Sequence, residues 1–199
     1  MEVVLIDAGG ANIGSVQYAL QRLGASARLS AVADVIAGED HPFGPGVGAA
    51  GAGMARLREL DLVTVVRGLT QPLLGICLGM QLLFESSDEN DTACLGLLPG
   101  RVRRLAGGDG ARVPHMGWNA LQLRQADPLL AGVQDGGQAY FVHSYAAPVS
   151  ANTLATTIHG EAFSAVVRRG HCWGAQFHPE RSAGVGARVL ENFLSERLA

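Results

Sequence analysis

The chain has 199 residues, of which 48% are hydrophobic and 17% charged, and its formal net charge at pH 7 is −3. These values predict one globular domain over residues 1–199 and exclude the strongly basic surface typical of nucleic-acid-binding proteins. No apolar run reaches the roughly 18 residues of a membrane span, and no basic, cleavable leader precedes the first apolar segment, so we expect a cytoplasmic protein. Three scattered cysteines form neither a disulfide framework nor a zinc site, and no metal or cofactor is expected.

Short apolar runs and helical stretches alternate through the first half of the chain. Residues 2–7 predict a buried parallel strand, Ser15 is a candidate N-cap for a helix ending near Leu23, and residues 27–29 predict a second strand. The loop from Gly9 to Gly14 only loosely matches a dinucleotide-binding fingerprint. Further helical stretches are predicted at 32–37, 54–60 and 62–67. In the second half, short strands with turns between them are predicted at 101–105, 140–145, 154–158, 165–168 and 172–177, before a closing helix at 184–198. This order predicts an α/β fold with an open, mostly parallel sheet flanked by helices, and an antiparallel portion in the second half.

Residues 71–85, QPLLGICLGMQLLFE, are the most informative stretch. An apolar run suited to a buried strand leads into Gly75-Ile76-Cys77-Leu78-Gly79, and a helical apolar stretch follows. This is the cysteine form of a nucleophile elbow, in which a strained turn lifts the nucleophile clear of the backbone. The helix N-terminus favours a thiolate at Cys77 and places the Leu78 amide as an oxyanion donor. The alternative is a buried structural cysteine between two chance glycines.

A cysteine nucleophile needs a base and a group that orients the base. His178 and Glu180 follow a predicted strand, and residues two apart in an extended segment project to the same side. The carboxylate could then fix the tautomer of the imidazole and leave the other nitrogen for Cys77. His115 and His143 each lie in an apolar, aromatic-rich stretch, where hydrogen-bonded core or interface residues are the favoured interpretation.

Residues 38–48, GEDHPFGPGVG, interrupt the alternation where an α/β fold needs a strand. Pro42 lacks an N–H donor and Gly44 weakens strand pairing, so an ordinary strand is not expected here. The turn at Pro45 to Gly48 could bring backbone N–H groups close to a ligand, although the residues alone favour a plain surface loop.

With these residues assembled, the chain resembles class I glutamine amidotransferases, and more narrowly the glutaminase subunits of imidazole glycerol phosphate synthases. Blocks that carry the resemblance run through almost the whole chain: DAGGANIGSV (7–16), PGVGA (45–49), PLLGICLGMQLLFE (72–85), GLLPGRV (96–102), VPHMGWN (113–119), YFVHSY (140–145) and QFHPERS (176–182). The departure lies at 39–44, where such proteins have an apolar strand. That strand is therefore expected to be lost, short or shifted in register, or the sequence is altered locally.

The resemblance implies a role for each matching residue. Cys77 would attack the side-chain amide of L-glutamine, His178 would act as acid and base, and Glu180 would orient it. Oxyanion donors would come from Leu78 and from the turn at Val47 and Gly48. Substrate would be held by Gln81, Gly46, Ser144 and Tyr145. Ammonia would pass to a cyclase subunit, a (β/α)₈ barrel, forming a heterodimer through residues His115, Met116, Trp118, Tyr140, His143 and Arg181.

Two other functions stay open at this point. A self-contained cysteine hydrolase would use the same elbow without needing a partner. A non-catalytic α/β subunit that only binds and stabilises a partner would be consistent with the atypical 39–44 segment.

Overall fold

An eight-stranded mixed sheet forms the centre of the protein. The computed structural model describes residues 1–9, 12–108 and 110–196. The strands in these ranges are β1 Glu2–Ile6, β2 Ser26–Ser30, β3 Phe43–Gly46, β4 Leu73–Cys77, β5 Ser86–Ser87, β6 Thr92–Ala93, β7 Arg101–Arg104, β8 His115–Ala120, β9 Gln122–Leu123, β10 Gln138–His143, β11 Tyr145–Ala146, β12 Thr153–His159, β13 Glu161–Arg169 and β14 Cys172–Ala175. The α-helices are α1 Ile13–Arg22, α2 Ala33–Ala37, α3 Ala50–Glu59, α4 Leu62–Gly68, α5 Leu78–Leu82 and α6 Ala183–Ser195. Short 3₁₀ turns lie at Glu89–Asp91, Pro128–Leu130 and Pro179–Arg181.

The central sheet is parallel in one half and antiparallel in the other. Its strand order is β2-β1-β3-β4-β14-β13-β12-β9. The first five strands pair in parallel, and β14, β13, β12 and β9 then pair antiparallel to one another. The predicted α/β architecture with an antiparallel portion in the second half is therefore confirmed.

Alternating side chains of the parallel strands supply two separate hydrophobic cores. On β1, Val3 and Leu5 pack with helices α1 and α6, whereas Val4 and Ile6 pack with α2 to α5 on the other face. Both faces of the sheet are covered, which explains why these strands are apolar along their whole length. No helix among the described residues is long and apolar enough to cross a membrane.

Strand β3 exists, although the sequence argued against an ordinary strand in this segment. It is four residues long, pairs with β1 at a single residue, and pairs with β4 along its whole length. Pro42, immediately before the strand, lacks an N–H but still contributes its carbonyl group, which accepts from the Leu74 N–H at 3.3 Å. Of the expected outcomes, a short strand is the one observed.

Two local predictions were wrong at the start and the end of elements. Helix α1 begins at Ile13 with Asn12 in the N-cap position, so Ser15 lies inside the helix and does not cap it. Helix α6 begins at Ala183 and ends at Ser195, and the residues that the sequence assigned to it beyond Glu196 lie outside the described ranges, as does part of the Gly9–Gly14 loop.

A two-stranded antiparallel ribbon, β8 with β10, lies apart from the central sheet. His115 pairs with His143, and Trp118 pairs with Tyr140. Strand β10 then leads through Ser144 into β11, which pairs with β7 in a small separate sheet.

Candidate active site

The turn at Cys77 has the backbone of a strained strand-to-helix elbow. Cys77 ends the fully buried strand β4 and occupies the N-cap position of α5, with φ +52° and ψ −108°. A positive φ at a non-glycine residue costs free energy and persists only where the surrounding structure enforces it. Because Cys77 is the N-cap residue, the free N–H groups of the first turn of α5 follow it directly in the sequence.

The two flanking glycines are required by close backbone approaches. A Cβ atom on Gly75 would lie 2.7 Å from the carbonyl group of Gly79, and a Cβ on Gly79 would lie 1.6 Å from the carbonyl oxygen of Gly44. The elbow thus packs backbone against backbone with strand β3, and the glycines are not chance neighbours of a structural cysteine.

His178 and Glu180 form a buried pair immediately after β14. His178 Nδ1 lies 2.8 Å from Glu180 Oε1, and the two side chains are 3% and 0% exposed. The pairing agrees with the sequence prediction, but the backbone differs from it. Glu180 lies in a 3₁₀ turn that begins at Pro179, because proline is favoured at the first position of a helical turn.

The charged form of His178 is favoured in this site. Burial by itself would lower the pKa of the imidazole, but the neighbouring Cys77 and Glu180 outweigh it and raise the pKa to about 10. His178 Nε2 is buried and makes no hydrogen bond to another described residue. The nitrogen that an acid or base would use is therefore uncommitted and near Cys77.

Two residues that the sequence did not single out support the candidate triad. Asn12 Nδ2 donates a hydrogen bond to Glu180 Oε1, the oxygen that also pairs with His178. Gln176 Nε2 donates to Cys77 Sγ at 3.8 Å, and the thiol donates to the Val142 carbonyl at 3.9 Å. The sequence feature that could have identified Asn12 is its position in the loop after β1, since polar residues at the carboxyl ends of parallel strands lie together at one edge of a sheet.

The turn after β3 lies directly over the start of α5. A Cβ on Gly46 would lie 3.0 Å from both the Gly79 nitrogen and the Leu78 Cβ. Gly46 and Val47 line a pocket together with Asn12, His178 and Glu180. Gly48 is exposed and has a φ of +116°, a region that favours glycine. The structure therefore brings the predicted oxyanion turn next to the elbow and the base.

Gln81, Ser144 and Tyr145 are already engaged by other protein groups. Gln81 is 4% exposed, and its Nε2 donates to the Tyr145 carbonyl at 2.8 Å and to Gln176 Oε1 at 3.0 Å. The Ser144 carbonyl accepts from the Leu105 N–H at 2.9 Å. The Gln81 amide nitrogen and the carbonyls of Ser144 and Tyr145 are therefore hydrogen-bonded within the protein and are not free ligand-binding atoms.

The outer face of the β8–β10 ribbon is an exposed apolar surface. Met116 is 64% exposed and Trp118 54%, and the Arg181 guanidinium lies 6.0 Å from the ring centre of half-buried Tyr140.

Two of the residues predicted at the partner interface, His115 and His143, lie on the inner face of the ribbon, so those two predictions were wrong. His115 and His143 are 3% and 6% exposed because strand alternation turns them away from Met116 and Trp118. They cannot touch a partner docked on the outer face.

This arrangement can perform nucleophilic attack on an acyl carbon. In such an attack, Cys77 would be the nucleophile, the pair His178–Glu180 would carry the proton, and backbone amides of the helix N-terminus and the adjacent turn would face the oxyanion. Among the described residues, no cluster of three or more His, Cys, Asp or Glu side chains could hold a metal ion.

Comparison with known proteins identifies the family. Residues 4–196 match the family described as Glutamine amidotransferase class-I. The chain belongs to the class I glutamine amidotransferases. Relatives from Xylella fastidiosa (strain Temecula1 / ATCC 700964) and Xanthomonas euvesicatoria pv. vesicatoria (strain 85-10) are each 58% identical over 193 residues, covering 97% of this chain and 96% of the relative. Both are named Imidazole glycerol phosphate synthase subunit HisH.

Solved structures show that the amidotransferase fold extends over the chain. One, titled as a crystal structure of glutamine amidotransferase, has a TM-score of 0.74 at 23% identity and covers 96% of each chain. Another, titled Structure of PurLQS from Thermotoga maritima, has a TM-score of 0.71 at 17% identity and covers 97% of each chain. At these identities the likeness concerns the fold alone.

Proposed function

We propose that this class I glutamine amidotransferase is the glutaminase subunit of imidazole glycerol phosphate synthase, acting in histidine biosynthesis in the cytoplasm. The observation that carries the chemistry is the buried His178–Glu180 pair beside Cys77 on its strained elbow. The narrower assignment is supported by the relatives that share 58% of their residues with this chain and carry the HisH name.

In the proposed reaction, the Cys77 thiolate attacks the side-chain amide carbon of glutamine and forms a tetrahedral oxyanion. The amides of Leu78 and of the turn at Val47 and Gly48 stabilise that oxyanion, and each such donor is worth about 10²–10³ in rate. Protonated His178 gives its proton to the departing nitrogen, so the C–N bond breaks, ammonia leaves and a thioester to Cys77 remains.

Hydrolysis of the thioester then restores the enzyme. Neutral His178 takes a proton from water, and the resulting hydroxide attacks the thioester carbon. The C–S bond breaks, glutamate leaves, and the thiolate faces a protonated His178 again. Glu180 holds the imidazole in the required orientation throughout. The raised pKa of His178 suits the charged imidazole with which the cycle begins.

The substrate would lie between the elbow and the turn after β3. We assign Gly46, Gln81, Ser144 and Tyr145 to its binding. Because the side chain of Gln81 and the carbonyls of Ser144 and Tyr145 are hydrogen-bonded within the protein, these three would shape the wall of the site and contact substrate mainly through their remaining atoms.

The partner would be a cyclase subunit with a (β/α)₈ barrel. It would dock on the exposed ribbon face formed by Met116, Trp118 and Tyr140, with Arg181 beside them, to give a heterodimer. Exposed aromatic residues and arginine are enriched at the centres of protein interfaces. Ammonia would pass to the cyclase, which forms imidazole glycerol phosphate and an aminoimidazole carboxamide ribotide.

Ammonia release from glutamine tests this proposal. It is measured for the purified chain alone and for the chain with the cyclase subunit and its nucleotide ligand. We expect a low rate alone and a strong rise in the complex, abolished by Cys77→Ser. Cys94→Ser is the matched control, because that buried thiol donates to the Thr92 carbonyl as a serine hydroxyl also could. A rate that does not change when the cyclase is added would favour a self-contained hydrolase. No ammonia release from a folded complex would favour a binding-only subunit.

A further inference from the structure

A chain of hydrogen bonds runs along the inner face of the β8–β10 ribbon. Asn119 Nδ2 lies 3.2 Å from His115 Nε2, and His115 Nδ1 lies 3.1 Å from His143 Nε2. His143 Nδ1 lies 2.9 Å from the carbonyl oxygen of Tyr145. Both histidines are buried, and the proposed reaction uses neither.

The Tyr145 carbonyl at one end and the Asn119 side chain at the other fix which atom donates in every hydrogen bond of this series. The Tyr145 carbonyl can only accept, so His143 Nδ1 carries the hydrogen and its Nε2, in a neutral ring, accepts. His115 must then donate from Nδ1 and accept at Nε2. Asn119 can supply that donor, because its Nδ2 also donates to the Ile158 carbonyl and its Oδ1 accepts from the Ala120 N–H.

Both rings are kept neutral by their surroundings. Burial, with the nearby charges of other histidines adding to it, lowers the pKa of His143 to about 3 and that of His115 to about 4. His143 contacts the edge of Phe163, and His115 stacks on Phe141. The direction of the chain therefore stays fixed across the neutral pH range.

The Tyr145 end of this series of hydrogen bonds is linked to Cys77 through two glutamine side chains. The Tyr145 carbonyl also accepts from Gln81 Nε2, whose second hydrogen goes to Gln176 Oε1, and Gln176 Nε2 donates to Cys77 Sγ. In the same strand as His143, the Val142 carbonyl oxygen lies 3.9 Å from Cys77 Sγ. Val142 in β10 and the Gln176 side chain thus contact the sulfur directly, and His143 holds the Tyr145 carbonyl to which Gln81 and Gln176 are linked.

We propose that His143, held by His115 and Asn119, is a positioning residue for Cys77, acting through the Tyr145 carbonyl, Gln81 and Gln176. The inference rests on the proposed glutaminase function and adds a residue to its machinery. A packing role alone would need only an aromatic ring at position 143. A positioning role needs the Nδ1–H that meets the Tyr145 carbonyl.

Two amide substitutions separate these roles, because each keeps a different nitrogen of the imidazole. The shorter side chain of His143→Asn places a donor near the Nδ1 position, whereas His143→Gln reaches the Nε2 position and leaves the Tyr145 carbonyl without its donor. His143→Phe keeps the ring and removes both nitrogens. The matched control is His159→Phe, since His159 stacks on His115 at 4.1 Å but donates its hydrogen bond to the Arg112 carbonyl, which is not part of the hydrogen-bond chain.

The full chain is assayed in complex with the cyclase for kcat and KM of glutamine hydrolysis. In parallel, the rate at which iodoacetamide alkylates Cys77 in the chain alone is followed by mass spectrometry from pH 6 to 9. We expect His143→Phe and His143→Gln to lower kcat about tenfold or more and to slow alkylation, with KM changed less than about threefold. His143→Asn should recover most of both rates, and His159→Phe should match the unsubstituted protein.

The proposal is overturned if His143→Phe keeps both rates, or if His143→Asn is no better than His143→Gln. Should His143→Phe fail to fold, the comparison of the two amide variants decides alone. If the unsubstituted complex releases no ammonia, the proposed glutaminase function fails, whereas the ranking of alkylation rates still supports or refutes the role of His143.

Discussion

The close approach of Gly79 to Gly44 allows a direct test of the elbow. In Gly79→Ala, the new Cβ would lie 1.6 Å from the carbonyl oxygen of Gly44 and 2.7 Å from its carbonyl carbon. Both groups are backbone, in α5 and in the central strand β3, so no side-chain rotation can relieve the clash. Overpacking typically costs about 1–3 kcal/mol, and a clash between backbones should reach or exceed the upper value. For a protein of this length, about 3 kcal/mol corresponds to a fall in Tm of roughly 6–12 °C.

Urea and thermal unfolding of Gly79→Ala and Gly68→Ala provide the measurement. A Cβ on Gly68, at the end of α4, meets nothing within 4 Å, and alanine is favoured over glycine in a helix by up to about 1 kcal/mol. We expect the Gly68 variant to be as stable as the unsubstituted protein or more so, and the Gly79 variant to lose both stability and glutaminase activity. Equal stability of the two variants, with activity retained, would refute the backbone contact between the elbow and β3.

Three other predictions concern the base, its support and the partner surface. Asn12→Ala removes a hydrogen bond to a charged carboxylate, worth about 1.5–3 kcal/mol, so kcat/KM for glutamine should fall roughly 10–100-fold; an unchanged value would remove Asn12 from the site. Because the pKa of His178 is raised from 6.5 to about 10, its contribution to stability is complete below pH 6.5 and is lost as the pH rises through 10; urea unfolding at both pH values should show this loss, and Glu180→Gln should reduce it. Trp118→Ala should weaken cyclase binding, measured by titration calorimetry, by about 2 kcal/mol or roughly 30-fold, whereas Tyr18→Ala, at another exposed aromatic residue, should not.

The elbow could be predicted from sequence because all of its determinants are local. An apolar strand, a cysteine between two glycines and an apolar helix are contiguous, and the structure places Leu73–Cys77 and Leu78–Leu82 accordingly. The pairing of His178 with Glu180 is equally local. Only the conformation around Glu180 was misjudged, because Pro179 begins a 3₁₀ turn.

Strand β3 could not be predicted because its support comes from other elements. Its sequence, FGPG, has low strand propensity, and tertiary context decides such cases. Here β4 pairs along the whole segment and the Pro42 carbonyl accepts from Leu74. Strand propensity reflects the N–H group that proline lacks, but it does not reflect the carbonyl group with which proline can still accept a hydrogen bond.

The remaining site contacts are long-range and left little trace in the sequence. Asn12 lies 168 positions from Glu180, so their hydrogen bond follows only from the packing of α1 against the 3₁₀ turn at Pro179–Arg181. The inward orientation of His115 was readable in principle, since residues next to each other in a strand face opposite sides and Met116 is its neighbour. The resemblance assigned both His115 and Met116 to the partner surface, but His115 is buried and only Met116 is exposed.

Covalent labelling with an electrophilic glutamine analogue tests the central claim, that Cys77 is the nucleophile. Differences in exposure would not make the analogue select one cysteine, because Cys77, Cys94 and Cys172 are all buried. Burial raises the pKa of both Cys94 and Cys172 to about 11, so these two remain unreactive thiols. We expect mass spectrometry of the folded complex to find one adduct, on Cys77, whose formation excess glutamine slows and His178→Ala abolishes. Labelling spread over the three cysteines, or no adduct on Cys77 in folded protein, would contradict the assignment of this site.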